Sequence, residues 1–124
     1  MIESPKINHI TRELDKLELV NGIVGTAIVN RNGLTIISRL PRDIDNRKFG
    51  AMAATMFEAM ETASTTLKDK VLNLTVEFHD YQLIVYVLND EIIFVSLLEQ
   101  NIDLGIVLIE IEESTKIIQK LLEV

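Results

Sequence analysis

The sequence predicts an α/β fold with the element order helix, two strands, helix, three strands, helix. The first observation is that the spacing of apolar residues alternates along the chain between the helical period and the strand period. The second is that two strands are apolar on both faces, so the sheet needs helices on both faces. The chain has 124 residues, 48% of them apolar, with five Gly and two Pro, so we expect one domain over residues 1–124.

The N-terminal third of the chain contains a helix and a hairpin. Ser4 as N-cap and Pro5 at the first helical position predict a helix that ends near Leu19. The segments IVGTAIVN and LTIISR then have the composition of two short strands. Asn32 and Gly33 between them form a typical hairpin turn, because Gly readily adopts the positive φ that such turns need.

The middle of the chain contains a second helix and three strands. The helix is predicted over residues 46–67, after the candidate N-cap residues Asp43 and Asp45. The strands are VLNLTVEFH, QLIVYVLN and EIIFVSLLE. The second and third are apolar on both faces and belong in the middle of the sheet. The first alternates with polar residues, which predicts an edge strand, and its apolar residues are expected on the buried face: Leu72, Leu74, Val76 and Phe78.

The last segment, from Leu104 to Leu122, is ambiguous on composition, because IVLI at residues 106–109 also suits a strand. The spacing of its apolar residues favours a helix. Its glutamates come early and its lysines late, which is the order that a helix dipole prefers.

The residue types that carry chemistry are sparse or scattered. There is no cysteine, and the two histidines, His9 and His79, are far apart without a spaced set of metal ligands around them. No glycine-rich phosphate loop is present, and no pair of carboxylates can be placed across a cleft. We therefore expect no catalytic residue, no metal and no cofactor, and we expect that the protein is not an enzyme.

The net charge of −7 makes nucleic acid and anionic lipid surfaces poor partners, since both require many Lys and Arg contacts. The first residues carry charges throughout and lack the apolar core of a signal peptide, and the apolar runs are too short to span a membrane. Together with the absence of cysteine, this predicts a cytoplasmic protein with no membrane insertion.

Residues 31–48 are net positive within this acidic chain. A basic segment on an acidic body suits an acidic partner protein. The residues predicted to bind such a partner are Arg39, Arg42, Arg47 and Lys48.

The second helix carries small residues on the face that should look away from the sheet: Gly50, Ala51 and Ala54. Alanine is a good helix former, so Ala51 and Ala54 also suit simple filling of an exposed face. Glycine inside a helix is unfavourable, which suggests a close approach of another element at Gly50. We predict that the same helix of a second copy crosses here, with Arg47 of one copy meeting Glu58 or Glu61 of the other.

The predicted edge strand over residues 71–79 supports this homodimer, because an unpaired edge invites aggregation unless it is blocked or used. Antiparallel pairing with its symmetry mate would join two sheets into one. The strand residues predicted at this interface are Val71, Asn73, Thr75 and Glu77.

Three segments together resemble the roadblock family of dynein light chains and their prokaryotic relatives. They are LVNGIVGTAIVNRNGLTIIS, AMAATMFEAMETAS and QLIVYVLNDEIIFVSLLEQNIDLGIVLIEIEEST. They contain a Gly-x-x-Gly strand with an Asn-Gly turn, an alanine-rich helix and Asn-x-x-Leu-Gly before the last helix. The resemblance extends from about Ile10 to Leu121.

The resemblance implies a three-layer α/β/α sandwich with a five-stranded antiparallel sheet, the middle helix on one face and the two terminal helices on the other. It makes the last segment a helix. Members of the family form homodimers or heterodimers through the middle helix and the third strand, here residues 46–67 and 71–79. They are non-enzymatic platforms, and several prokaryotic members bind or activate small Ras-like GTPases.

For this chain the resemblance implies a homodimeric regulator or scaffold, pairing with itself or with a roadblock-like paralogue, that binds a small Ras-like GTPase through the surface of the paired middle helices. Within that surface we predict the partner contact at residues 39–51, because this basic segment suits the acidic residues that GTPase switch surfaces often carry. It does not imply an arginine finger, so Arg42 and Arg47 are not expected to be catalytic. The alternative is a structural adaptor in a larger assembly that does not affect GTP turnover. A small-ligand sensor or enzyme is less well supported, because polar residues do not converge on the predicted inner faces.

Overall fold

The computed structural model describes residues 2–123; the predicted domain of residues 1–124 also includes Met1 and Val124, which lie outside the described residues. The element order is the predicted one. The bounds are α1 Ser4–Glu18, β1 Ile23–Asn30, β2 Thr35–Arg39, α2 Asn46–Leu67, β3 Asn73–Glu77, β4 Tyr81–Val87, β5 Ile92–Glu99 and α3 Leu104–Leu122.

The five strands form one antiparallel sheet in the order β2-β1-β5-β4-β3. As predicted, β4 and β5 lie inside the sheet and β3 lies at an edge. The fully buried β5 residue Phe94 pairs with Ile28 of β1 and Tyr86 of β4. The predicted fold class is confirmed.

Two apolar cores lie on opposite faces of the sheet, because successive residues of a strand point to opposite sides. Ile28 and Phe94 pack in the core that contains α1 and α3. Ala27 and Val95 pack in the core that contains α2. The architecture is therefore the predicted three-layer sandwich, with the middle helix alone on its face.

The α2 helix has the predicted bounds, and Asp45 is its N-cap. The Asp45 carboxylate accepts hydrogen bonds from the backbone N–H groups of Arg47 at 2.9 Å and Lys48 at 3.2 Å. These groups have no partner within the helix, so the cap stabilises its first turn. The helix ends at Leu67, and the next residue, Lys68, caps it with a left-handed φ of 53°.

Several predicted boundaries shift by one or two residues, and those of α1 and β3 bear on the site. Ser4 is the first residue of α1 and not its N-cap; Glu3 occupies the cap position without a side-chain hydrogen bond. The β3 strand covers residues 73–77 instead of 71–79. The backbone N–H of Val71 donates to the hydroxyl of Ser64 at 3.0 Å, which holds Val71 against α2 and outside the strand.

The interpretation of Gly50 requires correction. Gly50 is buried, and a Cβ atom built there would overlap the backbone carbonyl oxygen of Gly33 and lie 2.9 Å from the hydroxyl of Thr35. The close approach that Gly50 permits is therefore to the β1–β2 hairpin of the same chain. It is not an opening left for a second copy.

Gly50→Ala is expected to destabilise the fold, because the added methyl group meets a backbone carbonyl that cannot rotate away. The free energy of unfolding should fall by about 1–3 kcal/mol, the usual cost of overpacking, measured by urea denaturation.

Gly105→Ala is the matched control. Gly105 also lies in a helix, and its nearest contact would be an ordinary 3.6 Å from Oδ1 of Asp103. This change should leave stability unchanged or raise it by up to about 1 kcal/mol. Equal effects of the two substitutions would contradict the role given to Gly50.

Candidate functional site

The outer face of α2 and the exposed edge of β3, which residues 68–72 connect along the chain, together form what we call the α2/β3 surface. It consists of Arg47, Ala51, Ala54 and Glu58 of α2, Leu67 and Leu72 at the junction, and Asn73, Thr75 and Glu77 of β3. Within residues 2–123, β3 has a strand neighbour on one side only, so its other side presents unpaired backbone groups.

The α2 part of this surface is flat. Ala51 is exposed and Ala54 is half-buried, so neither places bulk above the helix. The hydroxyl groups of Thr55, Thr62 and Thr65 donate to carbonyl oxygens one turn earlier in the same helix, at 3.0 to 3.1 Å. These hydroxyl groups already have acceptors, and another protein surface could cover them without leaving a donor unsatisfied.

Two large apolar side chains are exposed where α2 ends and β3 begins. Leu67 is 73% exposed and Leu72 is 72% exposed. Leu72 and Phe78 were expected on the buried face of the strand, and this expectation is wrong: Phe78 is 44% exposed, and only Leu74 and Val76 between them are partly covered. Leu72 and Phe78 lie just outside the two ends of β3, and neither belongs to the core that contains α2.

The side chains of Asn73, Thr75 and Glu77 point to the other face of the sheet, where Tyr86 pairs with Asn73. All three are exposed, although α1 and α3 lie on that face. The β3 strand is therefore open on its edge and incompletely covered on both faces.

Glu61 does not have the role predicted for it. Its carboxylate pairs with Arg31 in the turn between β1 and β2 of the same chain. The Arg31 guanidinium also lies 3.7 Å from the carboxylate of Glu91 and 5.5 Å from the ring centre of Phe57. The hydrogen bond to Glu61, and then its charge, raise the pKa of Arg31. Glu61 thus holds α2 against the hairpin, whereas Glu58 is exposed.

Arg31 was not predicted as an organising residue. The sequence contains only a general sign of it, a positive charge within a hairpin turn. Its partners come from α2 and from the turn before β5, both far from Arg31 in the sequence, so only the fold reveals the cluster.

The four predicted partner-binding residues do not form one group. Nε of Arg39 donates to Oδ1 of Asp15 at 2.9 Å, and Asp15 belongs to α1, on the face of the sheet opposite α2. This corrects the prediction for Arg39. Arg42, Arg47 and Lys48 are exposed near the start of α2, and within residues 2–123 none of them forms an ion pair.

A groove of about 820 Å³ lies between the second half of α2, the start of β3, the β4–β5 turn and α3. The hydroxyl of Tyr86 in this groove lies 3.4 Å from the carboxylate of Glu112. Burial raises the pKa of Tyr86, and the charge of Glu112 raises it further. Charges of both signs line the groove, including Glu61, Lys70 and Lys116.

The structure offers no set of metal ligands: among residues 2–123, no three His, Cys, Asp or Glu side chains come close enough to hold a metal ion. In the same part of the chain, none of the helices has the length and apolar character required to cross a membrane.

Comparison with known proteins identifies relatives along most of the chain. Residues 10–97 match the Roadblock/LC7 domain. The uncharacterized protein MJ0714 of Methanocaldococcus jannaschii is 31% identical over 114 residues, which cover 92% of this chain and 93% of that protein. The uncharacterized protein MJ1340 of the same organism is 30% identical over 110 residues, covering 89% of this chain and 94% of that protein.

Solved structures share the fold. Myxococcus xanthus MglB superposes with a TM-score of 0.81 at 20% identity and 95% coverage of both chains. The gliding protein MglB of Thermus thermophilus gives a TM-score of 0.84 at 12% identity, covering 98% of this chain and 93% of that chain. The resemblance inferred from the sequence is confirmed, and the chain belongs to the Roadblock/LC7 domain family.

Proposed function

We propose that this protein is a non-enzymatic, homodimeric regulator or scaffold that binds a small Ras-like GTPase through the surface of its paired α2 helices. Membership of the Roadblock/LC7 family supports a regulatory or scaffold role. The observation that carries the finer proposal is the α2/β3 surface, which combines a flat helix face, exposed Leu67 and Leu72 and an unpaired strand edge.

The arrangement of residues along α2 suits a two-fold contact between antiparallel helices. Arg47, Ala51, Ala54 and Glu58 follow one another at spacings of four, three and four residues, so they lie in one row along the helix. The pair of alanines and the Arg47–Glu58 pair share the same midpoint. A two-fold axis through that midpoint relates the helix to an antiparallel second copy. It places alanine against alanine, and Arg47 against Glu58 at both ends of the contact.

Pairing of β3 with its symmetry mate completes the contact. Asn73, Thr75 and Glu77 then belong to a continuous ten-stranded sheet, and the backbone groups on the free side of β3 gain partners. Val71 lies at the margin of the proposed interface, because its backbone N–H already donates to the hydroxyl of Ser64 and cannot pair with a second β3 strand. A roadblock-like paralogue with the same spacing could replace the second copy, and we expect this assembly in the cytoplasm.

The partner protein is proposed to contact the start of α2. Arg42, Arg47 and Lys48 form a local positive group on a chain whose net charge is −7. Such a group attracts and orients an acidic protein surface, which is the kind of surface expected on the GTPase, and it repels basic surfaces. In the antiparallel dimer this group occurs at both ends of the helix pair, so one partner can span the helices or two can bind.

Ala54→Arg is expected to break the proposed dimer, because a long charged side chain at the centre of the helix crossing prevents the close approach of the two copies. At low micromolar concentration, sedimentation equilibrium should give the 14.0 kDa monomer mass for the variant and a larger mass for the wild-type chain.

Asn8→Arg is the control, because it places the same side chain at an exposed position of α1 on the opposite face of the sheet. It should leave the wild-type mass unchanged. A wild-type protein that is monomeric at this concentration, or an unchanged mass for Ala54→Arg, would refute the homodimer.

Arg42→Glu combined with Lys48→Glu is expected to weaken binding of a small Ras-like GTPase about tenfold or more, because two attractions become repulsions. Calorimetry with a GTPase encoded in the same genome, loaded with a non-hydrolysable GTP analogue, measures the affinity. Arg12→Glu on α1 is the control and should have little effect.

The binding surface is wrong if the double variant binds the GTPase with wild-type affinity. The rate of GTP hydrolysis, with and without this protein, then separates two roles within the proposal. A changed rate indicates a regulator, and tight binding with an unchanged rate indicates a structural adaptor.

A further inference from the structure

The α3 helix has a second apolar row on the side that faces away from the sheet. Its inner side buries Val107, Ile111 and Ile118 against the sheet and α1. On the outer side, Ile106 is 59% exposed, Ile109 is 58% exposed and Ile117 is 43% exposed. An ordinary surface helix would carry polar residues there.

The charged residues of this outer face are sorted by position. Glu110 and Glu113 lie in the first half of the helix, and Lys116 and Lys120 lie in the second half. All four are exposed, and within residues 2–123 none of them forms an ion pair. The outer face of α3 therefore has an acidic half and a basic half without partners in the described chain.

We propose that the outer face of α3 binds the same face of a second copy, with the two helices antiparallel. Sorted charges favour this occupant, because an antiparallel copy puts the acidic half of each helix against the basic half of the other. A basic partner would meet Lys116 and Lys120, and an anionic lipid surface would meet Glu110 and Glu113, so both are matched less well.

The positions along the helix define the register. Glu113 and Lys116 share their midpoint with Ile109 and Lys120. A two-fold axis at this midpoint places Glu113 of each copy opposite Lys116 of the other. It also places Ile109 beside the aliphatic stem of Lys120 of the second copy, which can cover it while its ammonium group stays in water.

Isoleucines of the two copies meet in the same register. Ile109 of one copy is level with Lys120 of the other, which is three residues beyond Ile117. At the helical rise, the two isoleucines are therefore separated by about 4.5 Å along the axis. This contact occurs twice because of the symmetry. The two reciprocal ion pairs thus lie at the centre of the contact, between two groups of apolar side chains.

This α3 contact is independent of the proposed function, because α3 and α2 lie on opposite faces of the sheet. A copy bound at α3 does not block the α2/β3 surface. If both contacts form, each dimer binds others through its α3 helices, and the smallest such assembly with all contacts satisfied is a tetramer.

The decisive test is a charge exchange across the α3 contact. Glu113→Lys places two ammonium groups opposite each other in each reciprocal pair, and Lys116→Glu places two carboxylates there. Each single variant should self-associate through α3 about tenfold more weakly than the wild-type chain, because both reciprocal pairs change from attraction to repulsion. An equimolar mixture of the two variants should recover the association. In a mixed pair, the two lysines of one variant face the two glutamates of the other, so both reciprocal pairs are attractive again.

Sedimentation velocity over a concentration series measures the assembly in the Ala54→Arg background, in which the proposed α2 contact is removed. The α3 contact then appears as a monomer–dimer equilibrium. Ile109→Ser should weaken this equilibrium as well, and Arg12→Glu on α1 should not. Recovery in the mixture but not in either single variant supports the antiparallel register.

Three results would overturn the proposal. One is a chain that stays monomeric in the Ala54→Arg background up to the highest soluble concentration. Another is self-association that neither charge variant changes. The third is binding to phosphatidylcholine vesicles that Ile109→Ser abolishes, without self-association, which would make a lipid surface the occupant. Failure of the α2 dimer is recognised separately, because the wild-type chain would then equal Ala54→Arg in mass.

Discussion

The structure depends on the need to cover a sheet that is apolar on both faces with only three helices. Five strands span about 20 Å, and one helix with its side chains is about 10 Å wide. Two helices, α1 and α3, share one face, and α2 lies alone on the other. A single helix cannot cover that face, so β3 remains open at the side far from the hairpin, with Leu74 and Val76 only partly buried.

Intrachain contacts decide which part of this face stays open. Gly50 lets the start of α2 lie directly on the hairpin, with the backbone of Gly33 against it. The pair of Arg31 and Glu61 attaches a later turn of α2 to the same hairpin. Both contacts draw α2 toward β1 and β2, so the uncovered region lies at β3. A second copy that pairs at β3 would extend the sheet at the side that α2 leaves open, and this supports the homodimer.

The fold could be predicted from the sequence because its elements are encoded locally. The apolar character of β4 and β5 on both faces placed them inside the sheet, and Asp45 marked the start of α2. The site could be predicted only in part. Gly50 and Glu61 lie on α2 near its outward row, but their neighbours Gly33 and Arg31 come from the hairpin, and helical periodicity cannot reveal them. Arg39 likewise pairs with Asp15 through the packing of α1 on the sheet.

The three helices use their exposed charges differently, and this difference bears on assembly. On α1, Lys16 pairs with Glu13 and Asp15 pairs with Arg39, so three of its charged residues are engaged within the chain. On the outer faces of α2 and α3, the charges have no such partners in the described residues, and in each helix one pair of opposite charges shares its midpoint with a second pair of residues in the proposed contact: Arg47 and Glu58 in α2, and Glu113 and Lys116 in α3. For a helix that faces water alone such a placement adds little beyond the favourable order of charges along the dipole of α3, because pairs of exposed charges contribute little there. It does matter for two antiparallel copies, where each opposite-charge pair forms twice, and the two helices that have this pattern are the two for which we propose self-association.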